Sequence, residues 1–239
     1  MRGPPSRPES PRRLVAEWLA EAAAVLVPVA CAGCGRADAS VCPGCRLALL
    51  PAPGEVTVDG LRVHIGLEYA GTVAAVIGAV KERGRTDAVR ALAPAMQAVL
   101  NRAVAGEREP PLLISMPSAR AAVRRRGFRP VDALVRASGH AVPLRPLLAL
   151  ARAIDDQAGL SAAQRQDNLA GAMIASARLR GRRVVLVDDV LTTGSTLREA
   201  RRAVLGAGGE VTGAACLAYT VKRKVSGRDL TGDSPGHPY

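Results

Sequence analysis

The sequence predicts an α/β protein in which a mostly parallel sheet is flanked by helices and preceded by a small cysteine-rich module. Val184 to Val187 are four consecutive apolar residues, mostly β-branched, and such a short run is typical of a strand that is buried on both faces. Apolar residues recur at helical spacing from Gly71 to Lys81 and from Asp87 to Val104. Two C-x-x-C pairs lie ahead of all these segments, which places the module before the sheet.

Composition and charge narrow the classes of function. The 239 residues are 48% hydrophobic, which indicates a globular chain with one sizeable core. The net charge is +12, of which residues 1–13 contribute +3 and residues 222–239 contribute +2, so the body keeps +7. A basic body suits a pyrophosphate-bearing ligand or a nucleic-acid surface. Only 2% of the residues are aromatic, which argues against a base-stacking platform for single strands.

The two ends of the chain are predicted to be disordered arms, because residues 1–13 are rich in Pro, Arg and Ser and residues 222–239 are polar and basic. A helix is predicted from Leu14 to Val27. Glu17 and Glu21 interrupt its apolar residues, which argues against an export signal, and no run reaches the ~18 apolar residues that cross a bilayer. We therefore expect a cytoplasmic location.

Four cysteines form two pairs, Cys31-x2-Cys34 and Cys42-x2-Cys45. Each pair turns tightly enough to offer two thiolates to one ion, so the spacing predicts a tetrahedral Zn²⁺ site. Four thiolates close the coordination sphere, which favours a structural role over a catalytic one. The alternatives are two disulfides or a thioredoxin-like redox pair. A fifth cysteine, Cys216, lies in an apolar run and is expected in the core.

The remaining strands come from shorter patterns. Glu55 to Ile65 reads as a hairpin with a two-residue Asp-Gly turn, and its His64 is either a packed strand residue or an extra metal ligand. Leu112 to Met116 and Val211 to Val221 are further predicted strands. The predicted organisation is an arm at 1–13, a helix and cysteine module at 14–50, a hairpin or linker at 51–70, the main domain at 71–221 and a tail at 222–239.

The most informative stretch reads V-V-L-V-D-D-V-L-T-T-G-S-T and runs from Val184 to Thr196. Two carboxylates, Asp188 and Asp189, follow the predicted strand, and a helix is predicted from Leu197 to Leu205. A small polar turn lies between them, formed by Thr192, Thr193, Gly194, Ser195 and Thr196. This order, in which a strand is followed by an acidic pair, a hydroxyl turn and a helix, is suited to binding a sugar phosphate.

The chemistry of a sugar phosphate accounts for each residue type in this stretch. A phosphate dianion accepts hydrogen bonds from the N–H groups of a glycine turn, from the N–H groups at a helix N-terminus and from hydroxyls. The neighbouring hydroxyls of a ribose donate strong hydrogen bonds to carboxylates. The pattern G-x-x-x-x-G-K-[ST] is absent, which indicates that the phosphate is an anchor and not the reacting group. The alternative is an ordinary buried strand and helix cap with a solvated acidic pair.

On these residues the chain resembles the type I phosphoribosyltransferases, whose signature for phosphoribosyl pyrophosphate (PRPP) has this layout, and in particular their ComF/GntX branch. A second stretch matches that branch position by position, at Arg152, Gln157, Leu160, Ser161, Arg165 and Asn168. Two places depart from it. The turn at residues 115–118 is an imperfect version of the family's pyrophosphate turn, and Arg129-Pro130 replaces an Asn-Gln pair after the basic stretch at 124–126.

The resemblance implies a type I phosphoribosyltransferase-like fold that binds PRPP together with Mg²⁺. It implies that Asp188 and Asp189 hold the ribose and that residues 192–196 hold the 5′-phosphate. Lys81 and an arginine of a mobile loop, either Arg152 or Arg165, would meet the pyrophosphate. The plainer alternatives are a snorkelling surface lysine at position 81 and a solvated basic helix face at 124–126.

The function implied first is transfer of the phosphoribosyl group to a nucleophile with release of pyrophosphate. The alternative is a non-catalytic accessory protein of DNA uptake in competent bacteria, which binds PRPP and either single-stranded DNA or a helicase partner. A third interpretation is a zinc-held scaffold with a vestigial pocket.

Overall fold

The computed structural model describes residues 29–107, 109–151 and 171–221, and it confirms the predicted fold class. The predicted arms, the predicted helix from Leu14 to Val27 and the segment that holds Arg152 and Arg165 lie outside the described residues. The strands in the described part are β1 (Gly54–Val58), β2 (Leu61–Glu68), β3 (Leu112–Ser115), β4 (Leu144–Arg145), β5 (Leu148–Leu150), β6 (Met173–Ala175), β7 (Arg183–Leu191) and β8 (Glu210–Tyr219).

The main sheet is mostly parallel. Its strand order is β1-β2-β8-β7-β3-β4; the neighbours from β2 to β4 are parallel, and β1 runs antiparallel at one edge. Strands β5 and β6 form a separate antiparallel pair. Strand β7 lies inside the sheet between β8 and β3, so the residues at its carboxyl end lie where parallel α/β sheets commonly bind ligands.

Helices cover both faces of this sheet. They are α1 (Pro43–Leu47), α2 (Gly71–Arg83), α3 (Val89–Val104), α4 (Arg120–Arg126), α5 (Pro130–Ser138) and α6 (Ser195–Gly206). The apolar residues of α2, α3 and α5 pack in one core, and those of α6 pack in a second one. None of the helices in the described ranges is long and apolar enough to cross a membrane.

Strand β7 contributes to both cores, as its apolar run predicted. Val185 and Val187 belong to the core under α2, α3 and α5, whereas Val184 and Leu186 belong to the core under α6. All four are fully buried because successive side chains of a strand point to opposite faces.

Strand β7 is longer than its apolar run suggested. The run ends at Val187, but the ladder with β8 continues, with Asp188 opposite Cys216 and Leu191 opposite Tyr219. The acidic pair therefore lies within the strand, whereas the sequence placed it after the strand. A hydrophobicity pattern does not predict this extension, because Asp residues are rarely buried and so interrupt the apolar pattern of a core strand.

The predicted hairpin is present at residues 54–68, and it is part of the main sheet. Strand β2 pairs in parallel with β8, for example Val63 with Ala214. The predicted two-residue turn is present: Asp59 and Gly60 have φ of 47° and 75°, as a type I′ turn requires. Strand β2 also carries His64, which is buried opposite Ala215 and is not part of the cysteine cluster.

Candidate functional site

The acidic pair meets a lysine from the other end of the domain. Asp189 is buried, and its two carboxylate oxygens lie 3.1 and 3.0 Å from Lys81 Nζ. Asp188 is half-buried, and its Oδ1 accepts a hydrogen bond of 2.8 Å from the backbone N–H of Asp189. Helix α2 thus brings Lys81 to the acidic pair. Lys81 was predicted as a site residue only from the family resemblance.

Burial and mutual repulsion change the ionisation of this cluster. Burial, together with the neighbouring Asp189 charge, raises the pKa of the Asp188 carboxyl to about 8. Burial opposes the charge on Lys81, but the Asp189 carboxylate outweighs it and raises the pKa of the lysine. At neutral pH the Asp188 carboxyl is therefore mostly protonated, and a ligand that prefers an ionised carboxylate has to displace that proton.

The hydroxyl turn follows β7 directly and opens helix α6. Thr193 Oγ1 and Ser195 Oγ lie 2.6 Å apart, and the Ser195 N–H points to Thr193 Oγ1 at 3.4 Å. Within the described part of the chain, the backbone N–H groups of Thr192, Thr193 and Gly194 have no acceptor. These donors, with the positive end of α6 behind them, are a suitable arrangement for a phosphate anion.

Gly194 is required in this turn for two reasons. Its φ of 78° is one that side-chain-bearing residues rarely adopt. A Cβ at this position would also lie 2.6 Å from Cγ1 of Val58 in the β1–β2 hairpin. The turn is therefore packed against the hairpin, and its backbone shape depends on that contact.

The turn at residues 115–118, which resembles the family's pyrophosphate turn imperfectly, lies beside the acidic pair. Strands β3 and β7 are paired with Ser115 opposite Val187, and the Met116 N–H donates to the Val187 carbonyl at 3.1 Å. Residues 116–118 therefore leave the sheet next to Asp188. This position is compatible with a ligand that spans the acidic pair and the turn.

The basic stretch forms the short helix α4, which lies against the end of α2. Arg126 Nη1 donates to the Lys81 carbonyl at 3.1 Å, and Arg125 lies 3.9 Å from Glu82. Arg120 and Arg124 are exposed and have no ion-pair partner among the residues that the structure describes. Helix α4 thus brings positive charge to the lysine end of the site.

The segment with Arg152 and Arg165 lies outside the described residues, but the residues on either side of it are described. The Ala151 N–H donates to the Ala172 carbonyl at 2.8 Å, next to the β5–β6 pair. The buried Glu199 of α6 accepts the Met173 N–H at 2.9 Å. The described ends of this segment therefore lie together and are attached to the helix that begins at the hydroxyl turn.

The four predicted metal ligands form one cluster. The sulfurs of Cys31, Cys34, Cys42 and Cys45 all lie within 4.8 Å of one another, and none is in a disulfide. Cys34 Sγ and Cys42 Sγ are 3.7 Å apart, close to the ~3.8 Å edge of a tetrahedron with Zn–S bonds of about 2.3 Å. The cysteines are thus close enough to bind a single metal ion.

The surroundings of the sulfurs also fit a metal. The Cys42 N–H donates to Cys31 Sγ at 3.3 Å. Burial disfavours the Cys31 thiolate, but backbone N–H groups including those of Cys34 and Cys42 outweigh it and lower the pKa of Cys31 to about 6. A thiolate that accepts backbone hydrogen bonds is the protonation state that zinc requires.

The cysteine module is packed on both ends of helix α2. A Cβ at Gly33 would lie 2.8 Å from Cys45 Sγ and 2.9 Å from Thr72 Cγ2, so the module touches the first turn of the helix. Just after its last turn, Arg85 Nη1 donates to the Ala30 carbonyl at 2.9 Å, and the same guanidinium pairs with Asp87. The module thus supports the helix that carries Lys81.

Comparison with known families shows what the segment around the acidic pair and the hydroxyl turn is similar to. The family model described as "Phosphoribosyl transferase domain" matches residues 121–230. Residues 121–230, which are 110 of the 239 residues, are thus similar to a phosphoribosyl transferase domain. This match, the four-cysteine cluster and the relatives described next confirm the family resemblance that the sequence predicted.

Two curated relatives show what the chain is similar to outside and inside this segment. The "DNA utilization protein YhgH" of Escherichia coli (strain K12) is 29% identical over 208 residues, which cover 80% of this chain and 90% of that protein. The "Adenine phosphoribosyltransferase" of Corynebacterium efficiens is 52% identical over 62 residues, which cover 25% of this chain and 30% of that protein. The first likeness extends over nearly the whole relative, and the second is confined to a short segment.

Among solved structures, adenine phosphoribosyltransferase from Saccharomyces cerevisiae is 13% identical, with 74% of this chain and 86% of that chain covered and a TM-score of 0.36.

Two residues near the site were missed by sequence reasoning. Arg198 of α6 pairs with Asp59 of the hairpin turn, and its Nη2 donates to the Thr193 carbonyl at 2.8 Å. The only sequence signal was an arginine four residues after the turn glycine. Its partner lies about 140 residues away in the chain, and no local pattern links the two.

Proposed function

We propose that this protein binds PRPP with Mg²⁺ and transfers its phosphoribosyl group to an acceptor with release of pyrophosphate. The observation that carries the proposal is the joint position of a carboxylate pair within β7 and a hydroxyl and N–H turn immediately after it. A vicinal diol and a phosphate monoester in one ligand match these two groups of partners.

In this proposal Asp188 and Asp189 accept hydrogen bonds from the two ribose hydroxyls. Lys81 forms an ion pair with Asp189. This positive charge allows Asp188 to lose its proton and ionise beside the Asp189 carboxylate. Mg²⁺ would supply charge neutralisation of the pyrophosphate group when bound. The acidic residues thus fix the sugar ring, so that its anomeric carbon is presented in one orientation.

The turn from Thr192 to Thr196 holds the 5′-phosphate, which is the anchor of the ligand and does not react. Its N–H groups, its hydroxyls and the N-terminus of α6 supply the donors. In the reaction the bond between the anomeric carbon and a pyrophosphate oxygen breaks, and a bond from that carbon to the acceptor forms. The acceptor gives up its proton to solvent or to a base.

Positive charge near the acidic pair would stabilise the departing pyrophosphate. Arg126 lies against the Lys81 carbonyl, and Arg152 and Arg165 are the further candidates that we propose from the family pattern. Stabilisation of separating charge by fixed cations is the main contribution that a protein makes to such a step. We further propose a cytoplasmic location and a structural Zn²⁺ in the four-cysteine cluster.

Titration calorimetry tests the binding step. PRPP is titrated with Mg²⁺ into the wild type and into a double variant, Asp188→Asn with Asp189→Asn. We expect affinity to fall at least about tenfold, because charge-assisted hydrogen bonds to the ribose are lost. Arg62→Gln, which changes an exposed ion pair with Glu55 in the hairpin, is a control that should bind PRPP as the wild type does. Equal affinity in the wild type and the double variant would contradict the proposal.

Pyrophosphate release tests turnover. Purified protein is incubated with PRPP, Mg²⁺ and one acceptor at a time from a panel of purine and pyrimidine bases, and pyrophosphate is measured. Release that depends on the acceptor supports a transferase. PRPP binding without release for any base supports the second candidate.

That second candidate is an accessory protein that binds PRPP and single-stranded DNA, or a helicase partner, without chemistry. It is favoured by the exposed arginines of α4, and curated relatives are named DNA utilization proteins. The test is a salt series of oligonucleotide binding, because phosphate contacts make affinity fall steeply with salt. Arg120→Gln with Arg124→Gln should reduce both the affinity and the salt slope, whereas loss of binding only on removal of residues 1–13 and 222–239 would assign it to the arms.

A further inference from the structure

The β1–β2 hairpin reaches the hydroxyl turn from a distant part of the chain. Its tip is the turn at Asp59 and Gly60, and Val58 packs on Gly194 so closely that a Cβ there would lie 2.6 Å from Cγ1 of Val58. The proposed phosphate site is thus built on one side by a segment of the chain that precedes the matched domain.

One guanidinium connects the hairpin tip to the backbone of the hydroxyl turn. Arg198 Nε pairs with the Asp59 carboxylate, while Nη2 of the same side chain donates to the Thr193 carbonyl at 2.8 Å. A second arginine of the same helix, Arg201, donates to the Asp59 carbonyl at 2.9 Å. Because a planar guanidinium holds its donors in a fixed fork, Asp59 determines where Arg198 meets the turn.

The contact at the Thr193 carbonyl has a consequence for the next N–H group. The Thr193 C=O and the Gly194 N–H belong to one planar trans peptide, so the two groups point in opposite directions. When Arg198 holds the carbonyl, the Gly194 N–H is directed away from the guanidinium. That N–H has no acceptor in the described part of the chain. Arg198 thereby fixes the direction of a donor that the phosphate would use.

We infer that Asp59 and Arg198 are positioning residues for the 5′-phosphate: the ion pair between them orients the Thr193–Gly194 peptide toward the ligand. The inference rests on the proposed PRPP-binding function. It goes beyond that function because it assigns part of the phosphate site to the N-terminal hairpin. Arg198 acts through the peptide, so its removal should weaken ligands that carry a phosphate monoester and spare ligands that lack one.

The test compares two probes by calorimetry, ribose 5-phosphate and magnesium pyrophosphate. The variants are Asp59→Asn, which keeps the shape and removes the charge, and Arg198→Lys, which keeps the charge and loses the fork. The matched control is Arg62→Gln, which removes an exposed ion pair on the same hairpin, in which Arg62 Nε lies 3.6 Å from Glu55 Oε1. We expect ribose 5-phosphate to bind about five- to tenfold more weakly to both variants, as loss of a partly exposed charge-assisted contact suggests. Pyrophosphate affinity should change less than about twofold, and the control should match the wild type for both probes.

Four outcomes separate the possibilities. Selective weakening of ribose 5-phosphate in the variants supports the inference. Equal weakening of both probes overturns it, because the ion pair is then merely structural. Unchanged affinity for ribose 5-phosphate in the variants overturns it while the proposed function stands. A wild type that binds neither ribose 5-phosphate nor PRPP overturns the proposed function and the inference with it. If Asp59→Asn does not fold, Arg198→Lys carries the same comparison.

Discussion

Binding of PRPP should release a proton from the acidic pair. The Asp188 carboxyl has its pKa raised to about 8 by burial and by the neighbouring Asp189 charge, so it is mostly protonated at pH 7 in the free protein. A ribose hydroxyl donates to an ionised carboxylate, so the complex favours the deprotonated form. With a pKa of about 8, roughly 0.9 proton should leave for each PRPP bound at pH 7 and about 0.1 at pH 9.

The same pKa sets the pH dependence of affinity. Below the pKa each binding event includes the cost of ionising Asp188, so affinity rises with pH and levels off above about pH 8. Between pH 6 and pH 7 the change should be about ninefold. Calorimetric titrations in two buffers of different ionisation enthalpy measure the number of protons released directly.

The control for this experiment is Asp188→Asn, which has no carboxyl to titrate at that position. Protons released by the phosphates of PRPP appear in both proteins, so the difference between wild type and variant belongs to Asp188. A difference near zero at pH 7, in the presence of measurable binding to both proteins, would refute the reasoning.

Four further changes have expected outcomes. Asp188→Asn should stabilise the ligand-free protein increasingly as pH rises from about 4 to about 8, by at most ~1.4 kcal/mol per pH unit. The reason is that Asp188 keeps a proton in the folded wild type that it has already lost in the unfolded chain. Lys81→Met leaves the buried Asp189 carboxylate unpaired and should cost about 1–3 kcal/mol in urea unfolding, less than for a fully buried pair because the lysine is partly exposed. Gly194→Ala should cost about 1–3 kcal/mol through its positive φ and its close packing. Cys45→Ser should lower bound zinc from about one equivalent per chain and reduce Tm, as metal analysis and thermal unfolding would show.

For these predictions, specific results would contradict the reasoning. A stability difference for Asp188→Asn that does not change between pH 5 and pH 8 would contradict the ionisation argument. Lys81→Met and Gly194→Ala variants as stable as the wild type would show that the ion pair and the glycine contribute little. Less than about half an equivalent of zinc in wild-type protein purified without chelator would count against the four-thiolate site.

The elements that sequence reasoning located correctly are those with local signals. The buried strand at Val184–Val187 showed as a short β-branched run, and the four cysteines showed as spaced pairs, because both patterns arise within a few neighbouring residues. Helix α2 and the two-residue hairpin turn were found for the same reason. The end of β7 was not, since carboxylates inside a strand break the pattern by which strands are recognised.

The contacts that build the site depend on pairs far apart in the chain. Lys81 meets Asp189, and Asp59 meets Arg198, over separations of more than 100 residues. A charged residue on a helix or in a turn has many possible partners, and which one it meets is decided by strand order and packing. Only the family resemblance pointed to Lys81, and the sequence pointed to Asp59 only as a residue of the hairpin turn.

The place of β2 in the sheet makes the unit that folds larger than the segment that the family model matches. The matched segment starts at residue 121, but β8 is covered on one side by β2. A truncated protein beginning at residue 121 would expose the long apolar edge of β8, whose residues Ala214 to Ala218 are fully buried in the whole chain. Such an open edge is a template for pairing with other chains, so the truncated protein is expected to aggregate. Expression of the matched segment in a stable form would therefore require the hairpin to be retained.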